Sequence, residues 1–147
     1  MQRTDVGQLQ DPALVEQLTA TLCGRDTFNG IEAPLMSGLV RLGALVDLGK
    51  GETLIREGEP AASEIFLLIE GSLVVQSQSA FIARLDRPGD VVGEVAVLLS
   101  SKRTADVIAE SAVRVVAIPS KAISQPEFAE IAAGVRKIML RDDWVKY

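Results

Sequence analysis

Glycine cuts the middle of this chain into short apolar pieces. Gly49, Gly51, Gly58, Gly71, Gly89 and Gly93 punctuate the stretch from Val46 onward. Between and beyond them lie "ETLIREGE", "EIFLLIEG", "SLVVQSQ", "AFIARL" and "AVRVVAI". Each run is short, rich in β-branched or aliphatic residues, and bounded by turn formers. Several such strands in succession fold into a sandwich or roll. No helix-length pattern separates them, which disfavours a parallel α/β sheet. Gly51, Gly58, Gly71 and Gly89 are expected at turns that need positive φ. Hydrophobic residues make up 48% of the chain and aromatics only 4%, so the core must be built from Val, Leu, Ile and Ala.

The flanks read differently. Residues 1–10 are polar and are expected to form a flexible arm. "DPALVEQLTATLC" then begins like a helix, with Asp11 as N-cap and Pro12 at the first helical position. Leu14, Leu18 and Leu22 fall on one face. A second helical stretch, "APLMSGLVRLGAL", repeats its apolar residues at helical spacing. After Pro119 helical character returns, with Phe128, Ile131, Val135 and Ile138 in one stripe. Residues 11–147 are thus expected to be a single domain, helical over 11–45, a roll over 46–119 and a C-terminal amphipathic helix over 124–143. The fold class is mainly β: an eight-stranded, jelly-roll-like β-roll with flanking helices.

Several functions are excluded by composition. The chain has no histidine and one cysteine, Cys23. A Ser-His-Asp or Cys-His triad cannot be assembled, nor can a zinc site of the usual kind. Cupin enzyme chemistry on a related roll falls for the same reason, since it typically needs His metal ligands. No intrachain disulfide can form, which suits a reducing, cytoplasmic compartment. The net charge is −5, which disfavours nucleic acid and anionic membrane as partners. Neither a signal-peptide core nor a bilayer-length apolar run is visible. Cys23, next to Leu22, reads as a plain buried thiol.

One stretch holds polar groups that packing does not require. In "VVGEVAVLLSSKRTADV", residues 91–107, Glu94 stands nine residues before Arg103, and Thr104 follows. A short helix starting at Glu94 would turn its free N–H groups toward an anion. An ionised Glu94 is an acceptor suited to sugar hydroxyls. Arg103 offers a planar fork suited to phosphate, and Thr104 adds a hydroxyl. A ribose bearing a phosphate would satisfy all of them. The plainer alternative is a surface ion pair of little energetic value.

Here the sequence resembles a known family. "GKGETLIREGEPAASEIFLLIEGSLVV" is similar to the opening strands of cyclic nucleotide-binding domains, the regulatory modules of catabolite-activator-type factors, cAMP-dependent kinases and cyclic-nucleotide-gated channels. "PGDVVGEVAVLLSSKRTADVIA" resembles their phosphate-binding cassette. The resemblance implies that Glu94 accepts a ribose hydroxyl and that Gly93 permits close backbone approach. Val95 and Ala96 would begin a short phosphate-binding helix. Arg103 and Thr104 would hold the cyclic phosphate, and Ala105 would leave room for the ligand. The implied ligand is cAMP or cGMP, with no metal and no catalytic residues.

The stretch departs from the family at Val92, Lys102 and Asp106. Strand alternation sets Ala105, Val107 and Ala109 on one face and Asp106 on the other. The resemblance further implies a sensor that acts through its terminal helices on a protein partner or a fused effector domain, with a homodimer through the C-terminal helix as one option. The alternative is a degenerate member that keeps the roll as a structural or dimerisation domain and binds no nucleotide.

Overall fold

The computed structural model describes residues 2–4, 12–24, 28–59, 64–92, 103 and 105–134. In chain order the elements are β1 (Gln2–Thr4), α1 (Pro12–Cys23), α2 (Ala33–Val40), β2 (Ala44–Leu48), β3 (Thr53–Ile55) and β4 (Glu64–Glu70). There follow β5 (Leu73–Ser77), β6 (Ala80–Leu85), β7 (Val91–Val92), β8 (Asp106–Ala109), β9 (Val113–Pro119) and α3 (Ser120–Ile123). A 3₁₀ turn at Pro126–Phe128 leads into helical residues 129–134. The stretch named above as a phosphate-binding helix, and Val135 and Ile138 of the C-terminal stripe, lie outside the described residues.

Two antiparallel sheets carry the fold. One has the order β1-β2-β9-β4-β7 and the other β3-β8-β5-β6. Strands β2 to β9 make an eight-stranded roll, as the glycine spacing implied. Within the segment read as a loose arm, Gln2–Thr4 add a ninth strand by pairing with β2. The second helix is shorter than its periodicity implied. It ends at Val40, and the chain enters β2 at Ala44, two residues before the expected boundary. Gly43 explains the early switch: a Cβ there would stand 2.8 Å from the Ala117 carbonyl oxygen of β9. The backbone passes too close to β9 for a helical turn to continue.

Alternation along β4 and β9 divides the interior into two cores. On one face of the five-stranded sheet, Ile65, Leu67, Val116 and Ile118 pack against Val15, Leu18 and Leu22 of α1, Met36 and Leu39 of α2, and Phe128 and Ile131. On its other face, Phe66, Leu68, Val113, Val115 and Ala117 meet Leu73, Val75, Val107 and Ala109 of the second sheet. A strand covered on both sides reads as a continuous apolar run. This is why "IFLLI" and "VVAI" lack polar alternation. Each such side chain stabilises the fold by about 1.5–3 kcal/mol through burial.

Gly51, Gly58, Gly71 and Gly89 all hold positive φ. Gly71 is the most constrained. It joins β4 to β5 at φ 95°, and a Cβ there would fall on the Ala112 carbonyl and within 2.8 Å of Val113 Cα. Cys23 is half-buried, and desolvation pushes its thiol pKa up, which keeps it protonated. No helix among the described residues is long and apolar enough to cross a membrane.

Two stability predictions follow from this packing. Gly71→Ala is expected to cost at least about 2 kcal/mol, because backbone strain and overlap coincide; a drop in the urea midpoint measures it. Thr19 is 5% exposed, and its Oγ1 has no hydrogen-bond partner among the described residues. Thr19→Val is expected to raise stability by about 1 kcal/mol, since it removes a buried unsatisfied hydroxyl at nearly constant shape. An unchanged or lower midpoint would contradict it.

Candidate functional site

The candidate site begins where β7 ends. The tight turn before β7 is fastened to β4 by two backbone bonds. The Gly89 N–H donates to the Leu68 carbonyl at 2.6 Å, and the Leu68 N–H donates to the Asp90 carbonyl at 2.8 Å. The Asp90 carboxylate also accepts the Arg87 N–H at 3.1 Å. This turn sets the register of β7, with Val91 opposite Leu67 and Val92 opposite Phe66. The chain therefore leaves Val92 at a fixed place beside β4.

It returns at Arg103, which is bonded through both its backbone and its side chain. The Arg103 N–H donates to the Glu59 carbonyl at 2.8 Å, and its carbonyl accepts the Gly58 N–H at 2.9 Å. Its guanidinium Nη2 donates to the Glu64 carbonyl at 3.1 Å, at the start of β4. Glu64 and Phe66 are two residues apart on one face of that strand, about 7 Å. Both ends of the segment 93–102 are thus anchored to neighbouring positions of β4. Arg103 is only 5% exposed. Arginine is almost never buried this deeply unless partners are arranged for it, so the roll is built around this charge.

Ala105 comes next and is 2% exposed, packed in the core between the sheets with Val107 and Ala109. Asp106 faces the other way and is partly exposed. Its Oδ1 accepts the Glu57 N–H at 2.7 Å. The Glu57 carboxylate in turn accepts the Ser77 hydroxyl from β5. Among the residues expected in the site, the structure locates Arg103 and Ala105. Gly93, Glu94, Val95, Ala96 and Thr104 lie outside the described residues.

The sequence reading places a turn at Gly58 but does not show that this turn and the Glu64 carbonyl bond Arg103. The contributions of Gly58, Glu59 and Glu64 are backbone groups, which leave no side-chain signature. Gly58 alone was signalled, as a residue that needs positive φ. The best-formed ion pairs are on the exposed surface. The Arg84 guanidinium donates to both Glu110 oxygens, at 2.7 and 3.0 Å. With the Ser72 hydroxyl it holds the Glu110 carboxyl below its ordinary pKa. Arg114 bonds Asp47 at 2.9 Å across β9 and β2. These are strand staples of modest worth. No cluster of His, Cys, Asp or Glu among the described residues could hold a metal ion.

Known proteins resemble this chain in sequence and in fold. The chain is 40% identical over 57 residues to the cGMP-dependent protein kinase egl-4 of Caenorhabditis elegans, a match spanning 39% of the chain and 7% of that kinase. The fold resembles the regulatory domain of a Toxoplasma gondii PKA crystallised with cAMP, with TM-score 0.73, 19% identity, and coverage of 89% of this chain and 52% of that one. It also resembles the regulatory subunit of a cAMP-independent protein kinase A from Trypanosoma cruzi bound to guanosine, with TM-score 0.73 and 18% identity. That match covers 90% of this chain and 49% of the other. The chain therefore spans about half of these solved structures and a small part of the kinase. Residues 45–125, from the first roll strand through Arg103 to the end of β9 and α3, match the profile of the family described as the cyclic nucleotide-binding domain. The roll, the buried Arg103 and this match over more than half of the chain together make it a member of the cyclic nucleotide-binding domain family.

Proposed function

We propose that this chain is a sensor module that binds a 3′,5′-cyclic nucleotide, cAMP or cGMP, and performs no catalysis. Arg103 holds the cyclic phosphate with Thr104, and Glu94 accepts a ribose hydroxyl from the other side. Gly93, Val95 and Ala96 present backbone to the ligand, and Ala105 leaves it room. The observation that carries this reading is the burial of the Arg103 guanidinium where the segment 93–102 rejoins the roll. A buried cation costs desolvation that an anionic ligand offsets.

Occupancy is passed on by linkage: the ligand binds one arrangement of the terminal helices better than another and shifts the population toward it. Phe128 and Ile131 support this route, because they share a core with the outer face of β4 and β9. The receiver is a protein partner or a fused effector domain in the cytoplasm, and the C-terminal helix offers a seam for a homodimer. A second reading has a specific observation behind it. A structural neighbour is the regulatory subunit of a cAMP-independent kinase bound to guanosine, so a fold of this kind need not answer to cAMP; the second reading is a degenerate member that keeps the roll as a structural or dimerisation domain.

Arg103→Ala is expected to weaken cyclic nucleotide binding very roughly 30- to 3000-fold, since it removes one partner of a buried charge pair. Calorimetric titration giving equal affinity in the variant would reject the assignment. Thermal shift separates the two readings. A ligand at a hundredfold over its Kd adds about 2.7 kcal/mol, roughly 5–10 °C for a chain of this size. Absence of any shift with millimolar cAMP, cGMP or guanosine would favour the structural domain.

A further inference from the structure

We propose that Asp106 is a positioning residue for Arg103, acting through the turn at residues 56–59. This rests on the reading of Arg103 as the phosphate ligand. The turn supports the Arg103 backbone on both sides: Gly58 donates to its carbonyl and Glu59 accepts from its amide. The turn itself follows β3, whose pairing with β8 is irregular. The register shifts between Thr53 and Ile55, and the last pair is Ile55 opposite Val107. A regular ladder does not extend to Glu57, so its amide needs another acceptor.

Asp106 supplies it. Its Oδ1 lies 2.7 Å from the Glu57 nitrogen, in a part-buried contact between residues 49 apart in sequence. The Glu57 carboxylate is fastened separately to the Ser77 hydroxyl of β5. The turn is therefore held at its amide by β8 and at its side chain by β5. Gly58, one residue further on, holds positive φ and offers no side chain to brace it. Removing the Asp106 acceptor leaves the Glu57 amide without its partner and loosens the two bonds that fix the Arg103 backbone. Asp106 does this from the outer face of β8, while Ala105 and Val107 face the interior at 2% and 1% exposure. It touches no ligand; it sets where the guanidinium starts.

The decisive property is an acceptor of this length, not negative charge. Asp106→Ala is expected to weaken cAMP or cGMP binding roughly tenfold, the scale of one lost hydrogen bond at a strained site, while Asp106→Asn stays within about twofold because its amide oxygen keeps the bond. Amide hydrogen exchange at Glu57, Gly58 and Arg103 should quicken in Asp106→Ala alone, with the Val115 and Val116 amides as unchanged references. Unaltered exchange in Asp106→Ala overturns the inference, as does faster exchange with unaltered affinity. An Asp106→Asn variant as impaired as Asp106→Ala overturns the acceptor role in favour of charge. If the natural chain binds neither nucleotide yet exchange responds as expected, the binding reading fails and the support of Arg103 by Asp106 stands.

Discussion

The pairing of β4 with β9 is the constraint on which the rest of this structure depends. Six residue pairs run from Glu64 opposite Pro119 to Glu70 opposite Arg114. Every interior residue of this pair faces either the helices or the second sheet. The register cannot slip by one residue, because a slip would exchange the two cores and move each side chain to a layer shaped for others. β2 is added beside β9 and β7 beside β4, so their places follow from the central pair. The tight turn at Gly71 then sends the chain directly from β4 into the second sheet.

This arrangement makes Arg103 possible. A guanidinium at 5% exposure would be intolerable in a structure free to relax around it. Here its carbonyl, amide and guanidinium are each fixed by backbone groups of elements already positioned by the sheets. The position of Arg103 is thus set by main-chain geometry more than by side-chain choice, the kind of preorganisation that lowers the cost of ordering a site.

What the sequence revealed, and what it hid, follows from this division. The glycine positions announced turns, and all four expected at positive φ hold it, since only a missing Cβ makes that conformation cheap. Arg103 was legible as a planar phosphate-binding fork nine residues after Glu94, and Ala105 only through the family resemblance; the burial of both is a finding of the structure. Phe128 and Ile131 were visible by helical spacing. The apolar rhythm of α2 runs on through Ala44 and Leu45, so the helical reading reached two residues into β2; the close passage of Gly43 along β9 decides otherwise. β7 is too short to give any periodicity. Gly58, Glu59 and Glu64 serve the site through backbone N–H and C=O groups, which every residue carries. The outward placement of Asp106 could be read from alternation, but its bond to an amide 49 residues away could not.

The pleat of β4 has a mechanical consequence. Glu64 and Phe66, which mark the two ends of the segment 93–102, alternate with Ile65 and Leu67, which touch the helical layer. The side of β4 that anchors Arg103 and β7 and the side that meets the helices are therefore separated by the thickness of one strand. Because the β4–β9 ladder holds the strand as one unit, any displacement of β4 would move both faces together.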